Sequence, residues 1–205
     1  MVKIKICGLR REEDIALVNS LGVDYAGFVF APGRRQIDLS RAAKLVAKLA
    51  KGISKVGVFV NAPRPLIEQH AAALGLDVIQ LHGDEGPADT QYQQLVWKAF
   101  PVRDAEFKHR LSRYTVDGIL LDAPAGGTYG GSGRTFDWLL TQGINLRVPL
   151  ILAGGLQAAN VAEAMRIVQP AVVDVSSGVE VNGYKDFSKM EQFVERVRQH
   201  ADNTR

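Results

Sequence analysis

Residues 149–180 read PLILAGGLQAANVAEAMRIVQPAVVDVSSGVE. Two apolar runs, PLILA and AVVDV, enclose AANVAEAMRIV, whose apolar residues recur at helical spacing. PLILA is apolar on both faces, as expected of a parallel strand covered by helices. Parallel neighbours need a crossover, and right-handed crossovers restrict the topology. The stretch therefore reads as strand, helix, strand, and the question is how often the unit recurs.

It recurs along the whole chain. KIKIC precedes REEDIALVNSLG, which ends on a glycine where a helix should stop. DYAGFVF precedes LSRAAKLVAKLAKG, with Ser40 placed as an N-cap. SKVGVFV precedes RPLIEQHAAALG. DVIQL and LVWKAF precede weaker helical patterns around PADTQYQQ and AEFKHRLSRY. DGILLD leads through a glycine-rich stretch to FDWLLTQG, and AVVDV leads to FSKMEQFVERVRQH. Eight strand–helix units with no remainder favour an α/β fold of one kind, a closed (β/α)8 TIM barrel. It is expected to form one compact domain over residues 1–205, with the terminal HADNTR as a frayed tail. An open doubly wound sheet is the alternative.

Composition agrees with an ordinary globular enzyme-sized domain. Of 205 residues, 46% are hydrophobic and 23% charged, and the formal net charge is +3. Basic and acidic residues are interleaved, so no stripe suited to nucleic acid is present. No run approaches the length of a membrane span, and no secretory leader is evident. One cysteine cannot form an internal disulfide, which suits a reducing cytoplasm.

In a barrel the working groups stand at the C-terminal ends of strands. Cys7 ends the first strand. It reads either as a small buried hydrophobe or as a nucleophile or base at the barrel mouth. Lys5 shares its face, and a cation there is expected to lower the thiol pKa. A lysine on an apolar strand also needs a carboxylate, and Asp174 on the last strand is the candidate. Asp122 ends the sixth strand, as a turn-forming residue or as a partly desolvated proton donor. The following PAGGTYGGSGRTFDW holds five glycines, enough for a mobile loop that approaches a ligand closely. It matches neither a P-loop nor a dinucleotide fingerprint, because Thr128, Arg134 and Phe136 stand where those motifs need other residues.

Strands seven and eight end in AGGL and VSSGVE. Gly154, Gly155, Ser177 and Gly178 offer backbone N–H groups there, with added serine hydroxyls. Barrels often bind phosphate at this pair of loops. Arg34 and Arg35 follow the second strand and could pair with a substrate carboxylate. His82, just past the fourth strand, lacks histidine companions and reads as a supporting hydrogen-bonding group, with no metal expected.

KICGLR, GFVF, GVFVN, QLHGDE, LLDA, GGSGRTFDW, AGGL and DVSSGVE together resemble the phosphoribosylanthranilate isomerase family, from about Val2 to Glu180. The resemblance implies a (β/α)8 barrel that converts N-(5-phosphoribosyl)anthranilate into 1-(2-carboxyphenylamino)-1-deoxyribulose 5-phosphate. This is an Amadori rearrangement, the third step from chorismate to tryptophan, run without cofactor or metal. It further implies Cys7 as general base and Asp122 as general acid. Arg35 falls on the family's anthranilate contact, and Gly154, Gly155, Ser176, Ser177 and Gly178 on its phosphate loops. Gly33-Arg34-Arg35 departs from the family's usual Ser-Pro-Arg or Ser-Lys-Arg, so Arg34 is a second candidate for the carboxylate. Family members occur as monomers, dimers and fusions, so a monomer or homodimer is expected here. Another phosphosugar barrel enzyme (an epimerase, a synthase or the histidine-pathway isomerase) and a non-catalytic phosphate sensor are the competing readings.

Overall fold

The structure is a computed structural model, and it describes residues 1–124 and 135–202, with side chains described as far as His200. Eight parallel strands close into a barrel in sequence order: β1 Lys3–Cys7, β2 Tyr25–Val29, β3 Ser54–Phe59, β4 Val78–Leu81, β5 Leu95–Pro101, β6 Gly118–Asp122, β7 Leu150–Leu152 and β8 Val172–Val175. β8 pairs with β1 to complete the ring, with Lys5 opposite Asp174. The open-sheet alternative is excluded by this closure. Most of the glycine-rich stretch, residues 125–134, lies outside the described residues.

Strand alternation sorts the core into two layers. Val56, Val78, Trp97, Ala99, Leu120, Ile151, Ala153 and Val172 form one cluster that fills the barrel interior. Their neighbours one position along, such as Ile79, Leu121 and Val173, join a larger cluster under the helices. Trp97 fills the middle of the barrel, meeting Tyr25 edge-on at 4.9 Å between ring centres. Gly118 makes room for it, since a Cβ there would lie 2.5 Å from Trp97 Cδ1.

Helices α1 Glu12–Leu21, α2 Leu39–Val46, α3 Arg64–Leu74, α4 Phe107–Leu111, α5 Val161–Val168 and α6 Phe187–Asp202 cover the strands. Three expectations need correction. The N-cap of α2 is Asp38, whose Oδ1 accepts from Arg41 N at 2.8 Å; Ser40 lies inside the first turn. The helices expected after β4 and β6 shorten to single 3₁₀ turns, Pro87–Thr90 and Trp138–Thr141. α6 continues to Asp202, so the terminal stretch begins as helix.

At the N-terminal rim, one carboxylate before each of three even strands ties the preceding odd strand. Asp24 Oδ2 accepts from Ile4 N at 2.8 Å, Asp77 Oδ2 from Lys55 N at 2.7 Å and Asp117 Oδ2 from Val96 N at 2.8 Å. This face lies opposite the strand ends where chemistry is expected. Asp24→Ala leaves the Ile4 amide unpaired and should cost about 1–2 kcal/mol. The melting temperature should fall by several degrees with kcat unchanged, as measured by thermal denaturation alongside turnover.

Candidate active site

The C-terminal mouth of the barrel opens into a cavity of about 640 Å³. Cys7, Arg35, His82, Asp122, Gly154, Gly155, Asp174, Ser176 and Ser177 all line it, together with Arg34 and Gln80. Candidates from six strands thus converge on one space. Lys5 lies just below, fully buried, with Nζ 2.8 Å from Asp174 Oδ2. The partner expected from sequence is the partner found. Gly178 stands off the wall, where a side chain would collide with the Leu156 carbonyl, so it lets the β8 loop close on the β7 loop.

Cys7 ends β1 beside Gly27 of β2. A Cβ on Gly27 would sit 3.0 Å from Cys7 Sγ and 3.1 Å from Lys5 Nζ, so Gly27 gives both groups their room. Burial pushes the Cys7 thiol pKa up, and Asp174 adds to the rise. Lys5 and Lys185 oppose it without cancelling it. The expectation of a lowered thiol pKa is therefore corrected: the cation is in place, but desolvation of the sulfur outweighs it. For Lys5, burial works against the ammonium, and Asp174 and Cys7 more than restore it, so its pKa is raised. Asp174 Oδ1 is buried at the cavity without a hydrogen-bond partner among the described residues.

Across the mouth, Asp122 Oδ1 accepts from Ala123 N at 2.7 Å, and Oδ2 faces His82 Nε2 at 3.1 Å. Gln80 Nε2 lies 3.0 Å from His82 Nδ1. Gly154 presses against this group. Its φ is +85°, and a Cβ there would meet Ala123 N at 2.5 Å and Asp122 Oδ1 at 3.0 Å.

The β2 loop is held by groups that sequence reasoning missed. A hairpin of β9 Glu180–Val181 and β10 Tyr184–Lys185 follows β8. Glu180 takes Arg35 in bidentate fashion, from Nε at 2.8 Å and Nη2 at 2.9 Å, and also meets Arg34 at 3.3 Å and Lys185 at 2.9 Å. Burial opposes ionisation of Glu180, but the hydrogen bond from Arg35 and the Lys185 charge hold its pKa below the ordinary value. Lys185 is lowered by its own burial despite Glu180. Lys185 also donates to Ser176 O at 2.9 Å, and Ser176 Oγ donates to Cys7 O at 3.0 Å. Glu180 was in view as part of VSSGVE, yet nothing local marks it as the counter-charge of residues 145 positions away.

The sequence model of N-(5'-phosphoribosyl)anthranilate isomerase matches residues 4–196. The chain belongs to this family. A curated isomerase of that name from Thermoanaerobacter sp. (strain X514) is 50% identical over 200 residues, covering 97% of this chain and 98% of the relative. The crystal structure of phosphoribosyl anthranilate isomerase from Thermotoga maritima superposes with a TM-score of 0.88 at 38% identity, covering 97% of this chain and all of that one. A further isomerase structure, in complex with reduced 1-(o-carboxyphenylamino)-1-deoxyribulose 5-phosphate, has a TM-score of 0.83 at 34% identity with 97% and 100% covered.

Two predictions follow from the isomerase site's geometry. Gly154→Ala introduces strain at a positive φ and a clash at Asp122. It should lower kcat by about a hundredfold or more while the chain stays folded, as read by steady-state kinetics and circular dichroism. Cys7 is the sole cysteine, so iodoacetamide labels one site. Labelling requires thiolate, and thiolate grows as pH rises through the pKa. With that pKa raised by burial, the labelling midpoint should lie above that of an ordinary thiol, about 8.5. Lys5→Met removes an opposing cation and should move the midpoint higher still. A midpoint at or below that of free cysteine would contradict the burial argument.

Proposed function

We propose that Cys7 and Asp122 are the base and acid of the family reaction, acting on a substrate held across the barrel mouth. The chain is an isomerase that converts N-(5'-phosphoribosyl)anthranilate into 1-(2-carboxyphenylamino)-1-deoxyribulose 5-phosphate, an aldose-to-ketose rearrangement in tryptophan biosynthesis. The observation that carries the residue assignment is convergence: one ionisable sulfur and one carboxyl line the same cavity from strands on separate arcs of the ring.

In this reading Asp122 protonates the ring oxygen of the ribose. The C1′–O bond breaks as the amine nitrogen's electrons form an iminium. Cys7 then takes the proton from C2′, and the electron pair left there neutralises the iminium to give an enolamine. Tautomerisation of the enolamine yields the ketone. Each proton transfer by a positioned group is worth about 10²–10⁴ in rate.

Positioning supplies the remainder. The phosphate is assigned to the β7 and β8 loops, where Gly154, Gly155, Ser176, Ser177 and Gly178 offer amides and hydroxyls. The anthranilate carboxylate is assigned to Arg35. Glu180 engages the Nε–Nη2 edge of its guanidinium, which aims the remaining N–H groups of Nη1 and Nη2 and supports Arg35 as a binding group. Arg34, with its side chain 59% exposed, is the looser of the two arginines. Among the described residues no helix is long and apolar enough to cross a membrane, and a cytoplasmic setting suits the single free thiol.

Cys7→Ser and Asp122→Asn should each lower kcat at least about a hundredfold while product affinity is retained. Decay of phosphoribosylanthranilate fluorescence measures turnover, and calorimetric titration with product measures binding. A variant that lost binding in step with turnover would return its residue to a structural role. Growth rescue of a tryptophan auxotroph lacking only this isomerase tests the activity itself.

A further inference from the structure

Gln80 is 1% exposed on β4 and points into the barrel, where the other interior residues at its level are apolar or belong to the site. Its Nε2 lies 3.0 Å from His82 Nδ1. Its Oε1 is buried with no hydrogen-bond partner among the described residues. An amide nitrogen can only donate, so Nδ1 must accept, and the proton of the neutral imidazole belongs on Nε2. Nε2–H then donates to Asp122 Oδ2 at 3.1 Å while Ala123 N–H donates to Oδ1. Asp122 meets a donor on each oxygen, the arrangement that matches an ionised carboxyl.

Among the described residues, no third group holds the amide in this direction through Oε1. Turning it by half a revolution would place Oε1 against Nδ1 and leave Nε2 in the unpartnered position. His82 would then carry its proton on Nδ1, and Nε2 would become an acceptor for a protonated Asp122. The turned state differs from the first by one proton, taken up from solvent. The two amide directions therefore match the two protonation states an acid must visit in each cycle.

We propose that Gln80 is a positioning residue that sets, through the direction of its amide, which nitrogen of His82 carries the proton and so whether Asp122 meets a donor or an acceptor. This rests on the reading of Asp122 as the acid. Gln80 touches no reacting atom; it acts through His82.

The test uses the full chain labelled with ¹⁵N-histidine. The signals of His82 are identified by their loss in His82→Asn. In the free wild type at neutral pH, Nε2 should be protonated and Nδ1 bare. Gln80→Glu presents only acceptors and should bring a proton onto Nδ1. Gln80→Met offers neither donor nor acceptor and should lower kcat about tenfold or more, with KM changed by less than about threefold. The same substitution in a His82→Asn background should cost nothing further, because its effect passes through the imidazole. A protonated Nδ1 in the wild type, an unchanged tautomer in Gln80→Glu, or an undiminished cost of Gln80→Met in the His82→Asn background would each overturn the proposal. The tautomer measurement needs no turnover. Full activity in Asp122→Asn would remove the acid reading and leave the tautomer result standing, so the two failures are separable.

Discussion

The seam between β8 and β1 closes the barrel, and at its centre Lys5 meets Asp174 with no exposure on the lysine. A single ammonium in that position is untenable; removing either member of a buried pair typically costs about 3–5 kcal/mol because the survivor keeps its charge without a partner. The pair therefore does more than add stability. It selects the register in which residue 5 faces residue 174, and a slip of one residue would turn the slipped strand's member of the pair into the helix layer. That register sends Cys7 to the mouth of the barrel, opposite Gly27.

The same alternation explains why the mouth is polar and the floor dry. Two residues above three of the apolar interior positions stands a polar group of the site: Gln80 above Val78, Asp122 above Leu120, Asp174 above Val172. Trp97 packs in the interior with those apolar residues. Glycine decides where the bowl is deepest, because Gly27 and Gly154 leave room beside the sulfur and beside the carboxyl. Strands carry the groups assigned to the chemistry, and the loops carry the groups assigned to binding.

What was legible in the sequence was what a single strand can show. A lysine in KIKIC had to have a carboxylate, and VVDV offered one. Cys7, Asp122 and Arg35 could be questioned because each stands at a strand end. Glu180 and Lys185 were opaque because their roles arise only when a hairpin folds back over the β2 loop. Gln80 was opaque because it sits inside an apolar strand, and its partner appears only two residues on, around the strand's end. The direction of the Cys7 shift was misread for another reason. A nearby cation can be inferred from spacing, but the desolvation it must overcome depends on how completely the sulfur is enclosed. The α2 cap failed by two residues because Asp38 and Ser40 are both good caps, and only backbone geometry distinguishes them.

The free site has a consistent electrostatic state. Burial favours the proton on the Cys7 sulfur, while the two donors around Asp122 suit a bare carboxylate. This is the distribution expected after an acid has given its proton and a base has taken one. A bound substrate must reverse it. Among the described residues, the cations that act on the sulfur are already matched, Lys5 by Asp174 and Lys185 by Glu180, so they do not support a thiolate in the free site. A substrate carboxylate that drew Arg35 partly from Glu180 would let Glu180 settle more fully on Lys185. That would strengthen the Lys185–Glu180 pair and weaken its help to the sulfur. For the sulfur, the reversal therefore has to come chiefly from Lys5 and from the iminium, whose positive charge forms beside C2′ once the ring has opened; Asp122 must take up its proton before that, as substrate binds. On the assignment proposed for Cys7 and Asp122, ring opening therefore comes first, and the charge it creates favours loss of the thiol proton to solvent, which leaves the sulfur able to take the proton from C2′.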